Sequence, residues 1–382
     1  MKIFLIAGEP SGDRLGAALM AGLKDLTPGI TFDGIGGPLM QAEGLESLFP
    51  MEELSIMGIA EVLPKYFPLK RRIAQAAEAA LASGAAAMVT IDSPDFCLRV
   101  AKIVKASRPG FRTIHYVAPS VWAWRPGRAA KMARVIDHVL ALLPFEPPYM
   151  TAAGMTCDFV GHPVVSEPVA TTAQAAAFRQ AHGIRPDAQL IAALPGSRRS
   201  EITRLARPFG ESLAALVPQT RDLRVVVPTP AHLEGHLRSL IADWPGQPVI
   251  LPAPDVATRT AAFAAADVAL AASGTVSLEL AAQMCPMVIA YDMAPLTLWL
   301  MRRAALIDTV TLVNLVSETR VVPEFIGPDC RASAIAPRLL DLLGKDSTSQ
   351  DAAMALTMDR LGRGGEAPGL RAARSVLAAL PR

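Results

Sequence analysis

The sequence lacks a surplus of charge of either sign, because its 37 basic and 35 acidic residues nearly cancel. Such a balance gives no general attraction for a polyanion, so nucleic acid is excluded as an expected partner. Only four cysteines occur, and Cys97, Cys157, Cys285 and Cys330 form no Cys-x-x-Cys pair. Their spacing argues against a disulfide framework and against a structural zinc site, and it favours a reducing cytoplasm.

Long apolar runs are also missing. No segment offers about 18 uninterrupted apolar residues without charge, so we expect no spanning helix and at most peripheral membrane contact. The apolar start, Met1 to Ala7, reaches Gly8 too soon to form the core of a signal peptide. No D-x-D pair occurs near the end of a predicted strand, and this disfavours metal catalysis.

Short apolar runs rich in Val, Ile and Leu recur along the chain, and each is followed by an Ala-rich helical stretch. This alternation predicts βαβ units around parallel sheets. In the first half the predicted strands are residues 3–7, 31–35, 87–91, 113–117, 139–143 and 158–160. In the second half they are residues 190–194, 223–227, 249–251, 268–271 and 287–291.

The strands form two similar groups, and 382 residues exceed what one compact core usually contains. We therefore predict an α/β protein with two Rossmann-like domains. The stretch from Pro163 to Thr172 has two prolines and no helical periodicity, which is typical of a hinge. The predicted domains are residues 1–165 and 166–345, followed by a helical tail over residues 346–382 that could pack back on the first domain.

Two strand-end loops are candidate anion sites, because open parallel sheets bind ligands beyond the carboxyl ends of their strands. The first is Gly8-Glu-Pro-Ser11-Gly12-Asp13, whose backbone N–H groups and Ser11 could face an anion or a sugar. The second is Pro195-Gly196-Ser197-Arg198, where Gly196 permits close approach of the backbone and Arg198 can neutralise a departing diphosphate. The alternatives are a capped turn and a solvated surface turn.

A third loop, Ala272-Ser273-Gly274-Thr275, precedes a helix that we expect Ser273 to cap. Its free N–H groups could bind phosphate, while Glu279, one turn further on, could accept hydrogen bonds from two ribose hydroxyls. Glu279 could equally be a favourable charge near a helix N-terminus, with no ligand at all.

Two aspartates follow the predicted strand 87–91. A carboxylate at the end of a strand is a candidate general base for a sugar hydroxyl, and we assign that role to Asp92. One of the two aspartates could instead cap the next helix, and Asp95 is the better placed for that. Asp95 is also a predicted substrate-binding residue and the alternative base.

The run from His115 to Arg125 places Trp122 and Trp124 in a loop after a strand. Exposed tryptophans beside Arg125 could stack on the apolar face of a sugar, or they could seal the domain core. The run from Ile56 to Ile73 mixes apolar with basic residues, so it could settle into a membrane interface or receive an acyl chain. Core packing is the alternative for this run.

Taken together, these loops resemble the lipid-A-disaccharide synthase family, which comprises inverting glycosyltransferases of the GT-B architecture. In that architecture the parallel sheets of two Rossmann-like domains face a central cleft. The resemblance extends from Ile3 to at least Asn314 and is weak beyond Asp329. It rests on eight motifs in matching order: Gly8–Asp13, Met51–Ile59, Ile91–Phe96, His115–Arg125, Leu143–Glu146, Gly161–His162, Leu194–Arg198 and Ala272–Thr275.

The family joins a UDP-2,3-diacylglucosamine donor to the acceptor 2,3-diacylglucosamine 1-phosphate, giving a β-1,6-linked disaccharide phosphate and UDP. The resemblance implies that Asp92 is the base on an acceptor-side first domain, with Arg198 beside the diphosphate on a donor-side second domain. It implies that Glu279 and Asn314 line the nucleotide pocket. It also implies a reaction without a metal or another cofactor, and a cytoplasmic enzyme at the inner membrane surface, with a homodimer as one open assembly.

Two other functions remain open at this point. A UDP-sugar epimerase of the same architecture would convert its substrate without an acceptor, since a fold alone does not fix a reaction. A non-catalytic glycolipid-binding protein would use the Ile56 to Ile73 patch. The loops at Pro195 and Ser273 argue against the latter, because a lipid carrier has no use for a diphosphate pocket.

Overall fold

The structure, a computed structural model, describes the backbone of residues 1–54, 59–344 and 347–381, and the side chains of these ranges except for residues 59–66. Most side chains of the predicted apolar and basic patch between Ile56 and Ile73 are therefore not described, and part of the Met51–Ile59 motif lies outside the described residues. The chain divides into two compact units. The first unit comprises Met1–Pro163 with Gly364–Arg382, and the second comprises Val164–Arg363.

Thirteen strands occur within the described ranges, and each of them pairs in parallel with its neighbours. The eleven predicted strands are confirmed, whereas β3 and β13 were missed because two or three residues are too few to show a periodic pattern. The strands are β1 Lys2–Ala7, β2 Thr31–Ile35, β3 Glu46–Ser47, β4 Ala87–Ile91, β5 Arg112–Tyr116, β6 His138–Ala141, β7 Thr156–Phe159, β8 Gln189–Leu194, β9 Leu223–Thr229, β10 Val249–Pro252, β11 Val268–Ala271, β12 Met287–Tyr291 and β13 Glu324–Ile326.

The two sheets repeat one topology. The order is β3-β2-β1-β4-β5-β6-β7 in the first unit and β10-β9-β8-β11-β12-β13 in the second. In each sheet the direction of winding reverses once, between β1 and β4 and between β8 and β11. Doubly wound sheets bind ligands at that reversal, beyond the carboxyl ends of the strands. The predicted α/β class with two parallel sheets is confirmed.

Sixteen α-helices lie in the described part of the chain. They are α1 Pro10–Leu26, α2 Pro38–Ala42, α3 Ile59–Ala82, α4 Pro94–Ser107, α5 Gly127–Met132, α6 Pro147–Ala152, α7 Thr172–Ala181, α8 Arg199–Leu216, α9 Glu234–Leu240, α10 Val256–Ala265, α11 Val276–Ala282, α12 Pro295–Ala304, α13 Leu312–Ser317, α14 Ala332–Leu343, α15 Thr348–Arg360 and α16 Pro368–Ala378.

Each sheet is covered by apolar side chains on both faces, as parallel sheets require. Along β1, Ile3 and Leu5 pack into one core cluster while Phe4 and Ile6 pack into the other. The first of these clusters also contains Ala372, Ala373 and Val376 of α16. The last helix therefore completes a core that begins with the first strand.

Helix α16 lies directly against α1. A Cβ on Gly369 would come within 2.5 Å of the carbonyl oxygen of Ala18, and one on Gly22 within 2.8 Å of that of Gly369, so the two backbones meet only because both residues are glycine. Ser375 of α16 donates a hydrogen bond to Asp158 Oδ2 at 2.7 Å. Arg371 Nη2 donates to the Phe159 carbonyl oxygen at 2.7 Å.

Two predicted helix caps are wrong. Helix α4 begins at Pro94, which is pre-organised for the first helical position, so Ser93 precedes the helix and the exposed Asp95 lies within its first turn without capping it. Helix α11 begins at Val276 after Thr275. The Ser273 hydroxyl donates instead to the carbonyl oxygen of Val310, at 3.2 Å.

Candidate active site

A cavity of about 550 Å³, here called the second-unit cavity, lies beside the reversal between β8 and β11. Seven predicted site residues line it: Gly196, Ser197, Arg198, Ser273, Gly274, Thr275 and Glu279. The remaining lining residues are Leu194, Glu201, Pro228, Thr229, Pro230, Ala253, Pro254, Arg259, Phe263, Ala272 and Val276. The fold thus brings the loops after β8 and β11 together, as predicted from the strand-end positions.

The loop after β8 is shaped around Glu201. Gly196 has φ of 113°, and a Cβ there would come within 2.6 Å of Glu201 Cβ, so a larger residue would clash as well as strain the backbone. The Glu201 carboxylate accepts hydrogen bonds from the backbone N–H groups of Ser197 at 3.0 Å and Arg198 at 3.3 Å. These two N–H groups belong to a predicted anion-binding loop, but the Glu201 carboxylate occupies them.

The Arg198 guanidinium is exposed at the wall of the second-unit cavity. Its Nη1 lies 3.1 Å from Glu201 Oε1, and that oxygen also accepts a hydrogen bond from the Tyr291 hydroxyl at 3.1 Å. Burial, and next the negative charge of Glu201, raise the pKa of Tyr291. The hydroxyl therefore stays protonated and holds the carboxylate, while the other N–H groups of Arg198 remain available to an anion.

The loop after β11 leaves its backbone donors free. Within the described part of the chain, the N–H groups of Gly274 and Thr275 have no protein acceptor. The side chain of Thr229 adds a buried hydroxyl oxygen at the cavity wall that has no hydrogen-bond partner among the described residues. Unpaired buried polar atoms of this kind mark a place where a ligand completes the hydrogen bonding.

Glu279 is held by an arginine that sequence reasoning missed. Arg259 of α10 lies with its Nε 3.0 Å from Glu279 Oε2 and its Nη2 3.3 Å from Glu167 Oε2. Arg259 is only slightly exposed, so this cation between two carboxylates fixes the side of the cavity where Glu279 lies. In the sequence, a lone arginine in an Ala-rich helix resembles a solvated surface residue, and nothing nearby marks it as a site residue.

Asn314 does not line the second-unit cavity, so its predicted role in the nucleotide pocket is unsupported. Its side chain is buried, its Oδ1 accepts from the backbone N–H of Val322 at 3.0 Å, and its Nδ2 donates to the Val322 carbonyl oxygen at 3.0 Å. Both ends of the amide are thus used to hold the loop after α13.

In the first unit, Asp13 is a structural residue. It is only 3% exposed, and its carboxylate accepts hydrogen bonds from the backbone N–H groups of Gly37 at 2.9 Å, Leu39 at 3.0 Å and Met40 at 3.0 Å. The carboxylate therefore satisfies the free donors at the start of α2 and is not open to substrate. Of the other predicted residues of this loop, Gly8 and Gly12 are buried and Ser11 is exposed.

A second cavity, of about 160 Å³ and here called the Asp92 cavity, lies beyond β4 and β5 of the first unit. Several backbone conformations around it are strained, since Asp92, Ser93, Val117 and Arg125 have φ values of 52°, 44°, 86° and 50°. Such residues cost on the order of 1–3 kcal/mol each and cluster at functional sites. The cavity is lined by Asp92, Pro94, Leu98, His115, Val117, Ala118, Pro119, Ser120, Arg128 and Met132.

Asp92 is the predicted residue best placed for chemistry in this unit. Its backbone N–H donates to the Tyr116 carbonyl oxygen at 2.9 Å, which fixes the residue at the cavity wall. Its carboxylate forms no ion pair or side-chain hydrogen bond with any described residue. Asp95 is exposed and does not line the cavity.

Trp122 seals the interior and cannot act as an open platform. It is 8% exposed, its indole Nε1 donates to Glu146 Oε1 at 3.2 Å, and its ring meets Phe145 edge-on. Trp124 is half-buried, with the Arg125 guanidinium 4.2 Å from its ring centroid. Of the predicted sugar platform, only the stacked pair of Trp124 and Arg125 remains available.

The comparisons with known proteins agree with these features. A family model described as lipid-A-disaccharide synthetase matches residues 3–368, so the family pattern also covers most of the tail. A lipid-A-disaccharide synthase from Ruegeria pomeroyi is 62% identical over 387 residues, which cover 100% of this chain and 96% of that protein. One from Rhodospirillum centenum is 47% identical over 380 residues, covering 99% and 94%.

Solved structures resemble the chain at the level of the fold alone. A UDP-GlcNAc 2-epimerase from Neisseria meningitidis, solved with UDP-GlcNAc, has a TM-score of 0.64 and 11% identity and covers 99% of both chains. A protein from Anabaena, solved with UDP and glucose, has a TM-score of 0.59 and 13% identity and covers 100% of both chains. With the two parallel sheets, these similarities confirm the predicted GT-B fold.

Proposed function

The chain belongs to the lipid-A-disaccharide synthetase family and is a glycosyltransferase of lipid A disaccharide synthesis, and on that premise we propose its substrates. The donor is UDP-2,3-diacylglucosamine, the acceptor is 2,3-diacylglucosamine 1-phosphate, and the products are the β-1,6-linked disaccharide phosphate and UDP. The single observation that carries the proposal is the second-unit cavity, which combines an arginine, free backbone donors and a carboxylate at one sheet edge.

The second-unit cavity has the chemistry that a UDP-sugar requires. Arg198 and the free N–H groups of Gly274 and Thr275 can bind the diphosphate, because charge-assisted and backbone hydrogen bonds are strong for phosphate oxygens. Glu279, fixed by Arg259, can accept hydrogen bonds from the ribose hydroxyls. This assignment predicts that UDP alone binds to the second unit.

Asp92 is the proposed general base. The acceptor's 6-hydroxyl oxygen attacks the anomeric carbon of the donor sugar, the bond from that carbon to the diphosphate oxygen breaks, and the hydroxyl proton passes to the Asp92 carboxylate. Arg198 neutralises the charge that develops on the departing UDP. A single displacement of this kind inverts the anomeric configuration, and the positive charge comes from protein groups rather than from a metal.

Transfer between purified components tests this proposal. The full chain is mixed in detergent and excess EDTA with both substrates, and disaccharide and UDP are followed by mass spectrometry. We expect both products only when the acceptor is present. A modified UDP-sugar formed without acceptor would support epimerase chemistry instead, and donor that binds but is never converted would contradict the proposed acceptor.

We also propose peripheral association with a membrane surface. Among the described residues, no helix is both long enough and apolar enough to cross a bilayer. Helix α12 nevertheless has exposed apolar side chains, with Leu296 69%, Trp299 53% and Leu300 52% exposed, and its last turn contains Arg302 and Arg303. Apolar and aromatic side chains beside arginines are typical of helices that lie in an anionic lipid interface.

A vesicle assay tests the role of α12. The double variant Trp299→Ser with Leu300→Ser should bind anionic phospholipid vesicles at least tenfold more weakly, because about 1.5–3 kcal/mol of apolar burial is lost per side chain. Leu240→Ser, an exposed apolar residue at the end of α9, is the matched control. Equal binding by the wild type, the double variant and Leu240→Ser would exclude α12 as the membrane-binding element.

The homodimer that the resemblance implies stays a prediction. Sedimentation of the purified proteins without vesicles tests it.

A further inference from the structure

The Asp92 cavity contains a cation that the proposed chemistry does not use. We propose that this cavity binds a sugar phosphate, with Arg128 on the phosphate and His115 on a sugar hydroxyl. The inference rests on the proposed function, and it assigns the anionic end of the acceptor to one residue. Arg128 would then select acceptors that carry a phosphate.

Arg128 is half-buried at the second position of α5 and lines the cavity. No described residue forms an ion pair or a hydrogen bond with its guanidinium. Two other half-buried arginines have carboxylate partners, since Arg179 pairs with Asp267 at 2.9 Å and Arg259 with Glu279 at 3.0 Å. A partly desolvated guanidinium without a partner favours an anion, and its planar fork matches phosphate oxygens.

His115 supplies a neutral hydrogen-bonding group in the same cavity. Its imidazole is buried, and burial lowers its pKa to about 4, so the ring is uncharged near neutral pH. Nδ1 lies 2.7 Å from Thr90 Oγ1, which in turn lies 3.2 Å from the Ile114 carbonyl oxygen. Because Thr90 has one hydroxyl proton, both contacts form only if that proton goes to Ile114 and Nδ1–H donates to Thr90.

This tautomer leaves Nε2 of His115 as an acceptor. Nε2 has no partner among the described residues, and a sugar hydroxyl is a donor of suitable kind. The cavity thus has an unpaired cation in Arg128, a neutral acceptor in His115 and an unpaired carboxylate in Asp92. A sugar phosphate carries a matching anion and matching hydroxyls.

The size of the cavity also fits a head group. Its volume, about 160 Å³, is less than a third of the 550 Å³ of the second-unit cavity. A small polar group therefore suits it better than a nucleotide, and acyl chains would have to lie outside it.

Binding of water-soluble probes to the full chain tests the proposal without turnover. Glucosamine 1-phosphate, glucosamine and inorganic phosphate are each titrated by saturation-transfer NMR. We expect glucosamine 1-phosphate to bind at least tenfold more tightly than either of the others. Arg128→Gln should remove that preference, Arg128→Lys should keep part of it, and Lys131→Gln, which removes an exposed charge from the same helix, should keep all of it.

Two results would overturn the proposal. One is an unchanged preference in Arg128→Gln, and the other is binding of inorganic phosphate as tight as that of the sugar phosphate. The transfer assay separates this inference from the proposed function. Turnover by the wild type with an acceptor KM unaltered by Arg128→Gln would leave the function standing and remove the subsite. Binding of sugar phosphate that depends on Arg128, without any turnover, would keep the subsite and remove the proposed function.

Discussion

The two units share one strand order but use their strand-end loops in opposite ways. In the second unit, the predicted loops after β8 and β11 present Arg198 and free N–H groups to one wide cavity. In the first unit, the side chains of Asp13 and Trp122 form hydrogen bonds within the fold. Asp92 lines a small cavity, around which several residues have a strained backbone conformation. One topology can therefore frame a wide cavity lined by an arginine and free N–H groups, or a narrow cavity beside a carboxylate.

The largest loss of turnover should follow from removing the proposed base in the first unit. Asp92→Asn keeps the shape but cannot take a proton, so we expect turnover to fall about 1,000-fold. UDP affinity, measured by calorimetry, should be unchanged because the second-unit cavity is intact. Asp95→Asn is the control, since Asp95 is exposed outside the Asp92 cavity. If the Asp95 variant loses activity and the Asp92 variant keeps it, the two roles are exchanged.

Arg198→Met tests the proposed role of the second-unit cavity. We expect kcat to fall about 100-fold, because the developing charge on the diphosphate loses its nearest cation. Stability should change by less than about 1 kcal/mol, since the exposed pair with Glu201 contributes little. Urea unfolding and steady-state kinetics measure the two effects. Arg199→Met, on the next residue and outside the cavity, should behave as wild type, and a stability loss in Arg198→Met would make the residue structural.

The pH dependence of unfolding tests whether Glu146, the hydrogen-bond partner of Trp122, is buried in the folded protein. Burial raises the pKa of Glu146 to about 7, above its ordinary value of 4.5. The folded state therefore favours the protonated carboxyl, and stability should fall as pH rises from 4.5 through 7, by on the order of 3 kcal/mol. Glu146→Gln should lack this fall in urea titrations, while Glu52→Gln, at an exposed site, should retain it. Parallel pH curves for wild type and Glu146→Gln would contradict the assignment.

A substitution of Asp13 distinguishes a role in stability from a role in substrate binding. Asp13→Ala leaves three backbone donors at α2 without their acceptor, so we expect unfolding to become easier by about 2 kcal/mol. The folded variant should keep its affinity for both substrates. Asp25→Ala, exposed near the end of the same helix α1, should change neither quantity. Unaltered stability with weakened substrate binding would restore the role first predicted for Asp13.

The sequence predicted the sheets well because buried parallel strands are continuous apolar runs, and those runs locate the loops that follow them. Side-chain roles were harder to predict. Asp13 bonds backbone 24 to 27 residues away, and Trp122 meets Glu146 at a separation of 24 residues. Such partners leave no local pattern. The contacts of Asn314 with the backbone of Val322 leave no local pattern either, and its role in the nucleotide pocket stays a prediction.

Three residues of the cavities, Thr229, Arg128 and Arg259, were not predicted from the sequence. Thr229 ends β9 two residues beyond the predicted strand, and its buried hydroxyl was not predicted as a site group. Arg128 and Arg259 stand in helices, where basic residues are usually solvated. A polar residue within two positions of the end of a predicted apolar strand is a usable signal for Thr229. The other two require the fold.

The path of the chain also sets an order for its synthesis. The second unit is one continuous stretch, residues 164–363, and can leave the ribosome complete. The first unit cannot close until α16 emerges, because Ala372, Ala373 and Val376 belong to the same core as β1. Throughout translation of the second unit, the apolar surface of α1 that receives α16 stays uncovered. We therefore expect the first unit, although it is made first, to complete its core after the second unit.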